Sequence, residues 1–167
     1  HLTLSGSGAK SLTLVSSIGG NLVTSGTATG TLAANMGVNG SMTIGDGTNA
    51  SVITTGNFTL GVTGLTTIAA NSTLTHSGNA TLTFSNALVI NGTLSGAGSG
   101  HITVNGGDVT GNGSVNLTNN NFTINTAGNF GGNTAWTFYN LTIGGAGNAT
   151  TTATGSGGIT VNTLTID

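Results

Sequence analysis

The chain has 167 residues, of which 34 are Thr, 31 Gly, 21 Asn and 15 Ser; only 2 % are charged, and the formal net charge at pH 7 is −2. One Lys and no Arg cannot neutralise a row of phosphates, and a chain without Cys cannot form the usual zinc sites, so we expect no nucleic-acid partner, no metal and no other cofactor. Helix is also disfavoured, because Thr, Asn and Gly are poor helix formers.

Short triplets of the form apolar–Thr–apolar recur along the whole chain. In a strand, the two apolar residues of such a triplet point to one face and the Thr to the other. In chain order the triplets are Leu2-Thr3-Leu4, Leu12-Thr13-Leu14, Met42-Thr43-Ile44, Phe58-Thr59-Leu60, Leu82-Thr83-Phe84, Ile102-Thr103-Val104, Phe122-Thr123-Ile124, Leu141-Thr142-Ile143, Ile159-Thr160-Val161 and Leu164-Thr165-Ile166. The predicted inward row includes Leu2, Leu12, Leu22, Leu32, Met42, Leu82, Ile102, Phe122, Leu141 and Ile159. The intervening Thr side chains are expected to face solvent.

The spacing of these strands is regular. Six apolar residues follow one another at intervals of ten, namely Leu2, Leu12, Leu22, Leu32, Met42 and Val52, and later apolar centres lie closer together. Regular short strands are typical of repeat folds in which neighbouring turns complete the core. We therefore predict an all-β fold, a right-handed parallel β-helix (β-solenoid) of about eight short coils, roughly 40 Å long at about 4.8 Å per coil.

A β-sandwich or jelly roll is the alternative fold. Asn-Gly pairs are typical of hairpin turns, although they serve equally well as solenoid corners. They occur at Asn39-Gly40, Asn91-Gly92, Asn105-Gly106 and Asn112-Gly113. In either case we expect residues 1–167 to form a single repeat-built β-domain, with 126–158 as its least regular part.

Two segments near the carboxyl end resemble known repeats. Residues 137–147 (TFYNLTIGGAG) and 158–166 (GITVNTLTI) are similar to the repeats of large bacterial surface β-solenoid proteins, the autotransporter passengers and filamentous-haemagglutinin-like adhesins. The resemblance implies an extracellular or cell-surface location. The chain differs from the two-partner-secretion adhesins because it contains no Pro and hence no Asn-Pro type secretion motif.

Residues that could carry chemistry are few and widely separated. Asp46 and Asp108 are about three coils apart, roughly 14 Å along the axis, whereas a glycosidase pair lies roughly 5–10 Å apart. We therefore predict that the chain is not an enzyme and that both Asp residues are turn residues. His76 and His101 have no third ligand nearby in sequence and are interpreted as polar residues at strand edges.

Eleven Asn-x-Ser/Thr triplets are candidate N-glycosylation sites. An Asn corner followed by a Thr-rich strand produces the same triplet, so a purely structural origin stays open. The triplets begin at Asn39, Asn49, Asn57, Asn71, Asn79, Asn91, Asn112, Asn116, Asn121, Asn140 and Asn148.

Two further patterns point to surfaces. Pairs such as Thr73/Thr75 and Thr81/Thr83 resemble those of ice-binding solenoids, but they are too few and too irregular in sequence to predict a long flat face. The aromatic residues Trp136, Phe138 and Tyr139 are interpreted as core or as a subunit contact rather than a sugar-stacking platform.

The strand pattern continues to both ends of the sequence, and neither end has a capping helix or a charged terminal coil. Unpaired terminal strands favour pairing with another chain. We therefore expect a structural extracellular protein, a subunit or segment of a cell-surface fibre in which copies join head to tail. The expected assembly edges are Leu2, Leu4, Leu164 and Ile166. The alternative is an adhesin segment that binds glycans or a host surface through a lateral face. No apolar run is long enough to span a membrane.

Overall fold

The computed structural model describes residues 1–13, 15–144 and 150–167, and every regular element in these ranges is a β-strand. The strands wind into a β-solenoid of eight turns, in which each strand pairs in parallel with strands of adjacent turns. This confirms the predicted all-β solenoid and is not the sandwich or jelly roll considered as the alternative. Parallel stacking suits the sequence because each short strand is completed by its neighbours above and below.

Three faces surround the core, and strands are numbered in chain order. Face 1 is an eight-stranded sheet comprising β1 (Leu2–Leu4), β4 (Leu22–Thr24), β7 (Met42–Ile44), β10 (Thr66–Ile68), β13 (Leu88–Ile90), β16 (Val109–Gly111), β19 (Gly128–Gly132) and β21 (Thr151–Ala153). Face 2 begins with β2 (Ser7–Leu12), β5 (Thr27–Leu32), β8 (Val52–Thr54), β11 (Thr73–Thr75), β14 (Thr93–Gly96) and β17 (Ser114–Leu117). Face 3 begins with β3 (Ser17–Ile18), β6 (Met36–Val38), β9 (Leu60–Val62), β12 (Leu82–Phe84), β15 (His101–Val104) and β18 (Asn121–Ile124).

The last two turns join faces 2 and 3. The strand β20 (Trp136–Ile143) pairs with β17 through its first residues and with β18 through its last ones. The final strand, β22 (Ile159–Ile166), lies on β20 along its length. Faces 2 and 3 therefore form one 14-stranded sheet that is continuous through β20.

The core consists of inward residues stacked turn upon turn. One such column on face 3 contains Ile18, Val38, Val62, Phe84, Val104, Ile124, Ile143 and Ile166. The predicted inward register is correct at eight buried positions, Leu12, Leu22, Leu32, Met42, Leu82, Ile102, Phe122 and Leu141. Of the other two predicted core residues, Leu2 is half-buried and Ile159 in the last turn is exposed.

The series of apolar residues ten apart predicts inward positions only as far as Met42, and its next member, Val52, does not face inward. In β8 the inward residue is Ile53, which pairs with Gly30, and Val52 is only half-buried. The alignments Leu22↔Met42 and Met42↔Thr66 show that this turn is longer than the one before it. Three of the four additional residues lie in the corner between β7 and β8, and one lies between β8 and β9. A longer corner can change which residue of the next strand faces inward.

Thr is not restricted to the solvent side. Thr24, Thr55 and Thr66, none of which is the middle residue of a predicted triplet, are buried, whereas Thr13, Thr43, Thr83 and Thr103 are half-buried or exposed. The hydroxyl of Thr24 accepts a hydrogen bond from the Gly45 amide at 2.8 Å, so this buried polar group is satisfied.

Two predicted triplets and the segment predicted to be least regular are only partly covered by the described strands. Leu14 lies outside the described residues, and Phe58 precedes β9 while packing against the core. The segment 126–158 contains the three strands β19, β20 and β21, and its residues 145–149 lie outside the described residues. The single-domain organisation stays a prediction.

Candidate functional surfaces

The last turn exposes part of the apolar core. Ile159, Leu164 and Ile166 of β22 are 39 %, 49 % and 73 % exposed, although they continue buried columns. One backbone edge of β22 pairs with β20, and within the described residues its other edge has no partner strand. An unpaired edge beside exposed apolar side chains is a template for strand addition.

The first turn differs from the last. Leu4, Leu12 and Ile18 are only 8 %, 3 % and 5 % exposed. Val15 and Leu2 are partly buried and pack against the same core. Of the predicted assembly edges, Leu164 and Ile166 therefore present exposed apolar surface, whereas Leu2 is half-buried and Leu4 is buried.

Lys10 occupies an inward position in the first turn. It pairs with Gly30, and the same column continues through Ile53. The side chain is half-buried, and its Nζ donates to the Ser7 carbonyl at 3.1 Å on the same edge strand. An inward-pointing charge on an edge strand is one way in which proteins prevent the addition of another strand. The sequence analysis missed this placement, because Lys10 has no apolar–Thr–apolar context.

Asp46 is a turn residue, as predicted. Its Oδ1 accepts hydrogen bonds from the amides of Thr48 and Asn49 at 2.9 and 2.8 Å, and its Oδ2 accepts one from Gly26 in the preceding turn. The backbone donors of Asn49 and then Gly26 hold the pKa of this carboxyl well below its usual range. Gly47 supplies the positive φ, 81°, that the corner needs after Asp46.

Asp108 connects two turns. Its Oδ1 accepts a hydrogen bond from the Asn129 amide at 2.8 Å, and its Oδ2 accepts one from Asn129 Nδ2 at 3.3 Å. Both carboxylates therefore bind backbone donors, which is how short polar side chains stabilise corners.

His76 directly follows β11 and is buried inside the solenoid. Its Nε2 lies 2.9 Å from the Ala80 carbonyl and must donate to it, so Nδ1 accepts the Thr55 hydroxyl at 2.7 Å. Burial lowers the pKa of His76, which favours this neutral form. His101 is exposed, and its Nε2 contacts Asn121 Nδ2 at 3.3 Å.

A second buried polar side chain lies near His76. Asn120 Nδ2 donates to the carbonyls of His76 and Gly100 at 3.4 Å each, and its Oδ1 has no hydrogen-bond partner within the described residues. A side chain at Gly96 would collide with this amide. Gly96 therefore makes room for a polar interior at this corner.

At the corners, Asn side chains of successive turns form hydrogen bonds with one another. Asn125 donates to Asn105 at 2.9 Å, and Asn140 donates to Asn121 at 2.7 Å. Three of the predicted glycosylation sites, Asn71, Asn121 and Asn140, use their Nδ2 groups as donors between turns in this way. A fourth, Asn49, donates from Nδ2 to Asp46 Oδ2 within its own corner.

The other glycosylation sites differ in how accessible their amides are. Asn39 and Asn116 are exposed, and their side chains make no hydrogen bond within the described residues. The side-chain oxygens of Asn57, Asn79, Asn91 and Asn112 accept hydrogen bonds from the next turn. Asn148 lies outside the described residues. Glycosylation stays a prediction. A glycan on Nδ2 would replace no donated hydrogen bond seen here at Asn39 or Asn116, nor at the four sites whose side chains act only as acceptors.

The lateral faces carry aligned rows of hydroxyl groups. On face 3 an outward row runs through Thr83, Thr103, Thr123, Thr142 and Thr165. On face 2 a row runs through Thr31, Thr54, Thr75 and Ser95. The pairs that are irregular in sequence are thus brought into register by the unequal turn lengths, which sequence spacing alone did not predict.

The aromatic residues near the carboxyl end belong mainly to the core, as interpreted. Trp136 and Phe138 are buried, and Trp136 Nε1 donates to the Gly113 carbonyl at 2.9 Å. The Phe130 and Trp136 rings meet edge to face with their centroids 5.6 Å apart. Tyr139 is 39 % exposed and borders a shallow groove with Thr160.

Over the ranges 1–13, 15–144 and 150–167, no helix is long and apolar enough to cross a bilayer. The same ranges hold no group of three His, Cys, Asp or Glu residues placed to bind a metal ion.

The fold defines the chain as a parallel β-solenoid, and its last described turn carries exposed apolar residues. No protein-family model matches the chain, and neither a curated protein nor a solved structure matches it significantly.

Proposed function

We propose that this chain is a structural rod of an extracellular or cell-surface fibre, lengthened by end-on pairing at the β22 edge. The observation that carries the proposal is the exposure of Leu164 and Ile166, which lie on Leu141 and Ile143 in columns whose members from β6 to β20 are buried or half-buried. A further strand laid on β22 would cover these side chains and pair the open backbone edge.

The extracellular location is supported by two features of the sequence. The repeats resemble those of bacterial surface solenoids, and the single Lys leaves trypsin-like proteases one cleavage site. A charge-poor surface also means that end-on contacts rest on backbone hydrogen bonds and apolar burial rather than on ion pairs.

The proposal is tested by the mass of the purified chain in solution, measured by light scattering over a range of concentrations. We expect self-association that survives about 1 M salt, where the screening length is only about 3 Å. Leu164→Lys should abolish it, because the charge would be desolvated in the joint. Thr165→Lys is the matched control, since it adds the same charge at the neighbouring outward position and should leave association intact. A wild-type chain that is monomeric at every concentration would overturn the proposal.

A second candidate function, an adhesin segment that binds glycans through a lateral face, is favoured by the aligned hydroxyl rows. Aligned threonine rows that carry no charge offer repeated donors and acceptors to a polysaccharide surface. Sedimentation with insoluble cellulose or chitin tests this: Thr103→Val with Thr123→Val should reduce binding, whereas Leu164→Lys should not. Equal binding by both variants would exclude the face 3 row.

A further inference from the structure

The fold holds the four Asn-Gly pairs of the chain differently. Three of their glycine amides donate to backbone carbonyls of the preceding turn at 2.8–3.0 Å; they are the amides of Gly40, Gly92 and Gly113. The fourth glycine amide, that of Gly106, donates to no acceptor within the described residues. Asn105–Gly106 is therefore the pair whose glycine nitrogen does not help to hold two turns together.

Gly106 lies in the corner between β15 and β16, which is longer than the equivalent corners before it. Three residues separate the aligned inward residues of faces 3 and 1 at 19–21, 39–41, 63–65 and 85–87, whereas four separate them at 105–108. The Asn105 amide still donates to the Phe84 carbonyl at 2.8 Å, and Gly107 has a positive φ of 68°. Beyond Asn105 the corner thus does not follow the preceding turn residue for residue.

The Asn105 side chain is exposed, and the next turn holds its oxygen. Asn125 Nδ2 donates to Asn105 Oδ1 at 2.9 Å, while Asn105 Nδ2 donates no hydrogen bond to any described residue. A donor at this distance stabilises the negative charge that develops on a carbonyl oxygen when a nucleophile adds to its carbon. The side-chain carbon Asn105 Cγ is therefore activated towards attack, and no bond seen here retains its nitrogen.

Asn112–Gly113 is a matched comparison within the same chain. Like Asn105, Asn112 is exposed and its Oδ1 accepts a side-chain amide of a later turn, in this case from Asn133 at 2.6 Å. The two sites differ in the glycine amide, because that of Gly113 is bonded to the preceding turn. A nitrogen that must give up a hydrogen bond before it reacts has an additional cost to overcome.

We propose that Asn105–Gly106 is a self-modifying site, at which the Gly106 nitrogen attacks Asn105 Cγ and displaces the side-chain amide. Hydroxide or water takes the proton of the Gly106 amide as the new N–Cγ bond forms. The Cγ–Nδ2 bond then breaks, and Nδ2 takes a proton from water and leaves as ammonia. The attack is intramolecular, which favours it, and it closes a succinimide ring. Water opens the ring at either carbonyl and leaves aspartate or isoaspartate.

The modification changes the corner in two ways. It replaces a neutral amide by a carboxylate, which takes the formal net charge from −2 to −3, that is −2 − 1. Where the ring opens to isoaspartate, the main chain also passes through the Asn105 Cβ, which lengthens the corner by one atom. Asn105 is not in an Asn-x-Ser/Thr triplet, so this site is distinct from the candidate glycosylation sites. The inference does not depend on the proposed fibre.

The test compares the four Asn-Gly pairs in the folded full chain. The protein is incubated in mildly alkaline buffer and digested with pepsin at low pH, and mass spectrometry measures the conversion of each amide to an acid. We expect Asn105 to react about tenfold faster than Asn112, which is the ratio for one retained hydrogen bond. Reaction of Asn112 as fast as that of Asn105, or no reaction at Asn105, would overturn the proposal.

Unfolding in urea separates the effect of the fold from that of the sequence. All four pairs lose their contacts between turns in the unfolded chain, so Asn105 and Asn112 should then react at similar rates. A preference for Asn105 that persists in urea would come from neighbouring residues, and the assignment to the fold would be wrong.

The donor to Asn105 Oδ1 is tested by Asn125→Ala, with Asn133→Ala as the matched control at the second site. We expect Asn125→Ala to slow the conversion of Asn105 about tenfold, because one hydrogen bond to the developing oxyanion is lost. Asn133→Ala should leave the conversion of Asn105 unchanged. Unchanged or faster conversion in Asn125→Ala would contradict the activating role of Asn125. The comparison of Asn105 with Asn112 needs no variant, so it decides the proposal even where a substitution disturbs folding.

Discussion

The first and last turns end the same columns but present different surfaces. Ile18 and Ile166 belong to one column, yet they are 5 % and 73 % exposed. In the first turn Leu4 reaches into the space left by Gly30, with its Cδ1 3.2 Å from where a Gly30 Cβ would lie. In the last turn the apolar side chains of β22 have no comparable cover within the described residues. Equivalent positions of a repeat therefore differ in exposure, because some are covered by neighbouring side chains and others are not.

The same contrast distinguishes the first turn of the solenoid from the last one. The only Lys of the chain lies inward in the first turn, and the longest strand edge lies in the last one. A repeat protein needs a polar or covered terminal repeat to stay soluble. The first turn has Lys10 at an inward position and mostly buried apolar residues, whereas Ile159, Leu164 and Ile166 of the last turn are exposed.

The largest effect is expected just beneath the open end. Trp136 is buried directly below the exposed Ile159. If the core is fully packed one turn below the exposed surface, removing the Trp136 side chain should be strongly destabilising. We expect Trp136→Ala to lower the free energy of unfolding by about 3–5 kcal/mol, measured by urea denaturation. Tyr139→Ala, at a partly exposed position, should change it by less than about 1 kcal/mol. Equal losses would mean that the seventh turn is as open as the eighth.

A direct test of the comparison uses the two ends of one column. Ile18→Ala should cost about 2–4 kcal/mol because it leaves a cavity in a buried position. Ile166→Ala should cost less than about 1 kcal/mol, because its side chain is mostly in water already. Both are measured in the Leu164→Lys background, so that self-association does not contribute to the stability of either variant. Similar costs for both would remove the distinction between a covered and an open turn.

A smaller effect is expected on the pH dependence of stability, because His76 is buried in the interior between the two end turns. The pKa of buried His76 is lowered in the folded state, so the unfolded state binds more protons near its ordinary pKa of about 6.5. Stability should therefore be fully present above about pH 6.5 and decrease as the pH falls below that value. His76→Asn should flatten this dependence of the unfolding midpoint, with His101→Asn as the control for losing an imidazole. An unchanged pH profile in His76→Asn would show that His76 is not held neutral.

The smallest effect is expected at the exposed corner held by Asp46. Its pKa is lowered in the folded state, so the stabilisation is present above the ordinary carboxyl value, about 3.9, and is lost as the pH falls below it. Asp46→Asn should reduce the acid sensitivity of the melting temperature, and Asn49→Ala, which removes one donor, should reduce it less. If Asp46→Asn leaves the fall of the melting temperature at low pH unchanged, the corner is maintained by Gly45 and Gly47 without the Asp46 carboxylate.

Much of the fold could be predicted because a period of two is a local property. Alternation within triplets such as Leu82-Thr83-Phe84 fixes which residues share a face, and the repeated spacing indicates stacked turns. The turn role of Asp46 was predictable for the same reason, since an Asx turn involves only neighbouring residues. The location, the function and the glycosylation sites remain predictions from the sequence.

The positions of the polar interior were not predictable from local pattern. Thr55 and His76 are separated by a full turn, and their hydrogen bond depends on corner lengths that sequence spacing did not supply. Corner length decides the phase in which the next strand enters, as the change from Val52 to Ile53 shows. The threonine rows were missed for the same reason, because they are aligned across turns and not along the chain.

The sequence by itself therefore determined the strands, their short length, the small side chains at the corners and the stacked architecture, because each follows from local alternation and turn chemistry. Only the tertiary structure decided that Ile53 and not Val52 faces inward in β8, and that Lys10 and Ile159 lie in one inward column. Those features depend on the register between turns, which is set by backbone hydrogen bonds between residues about one turn apart and by the packing they impose.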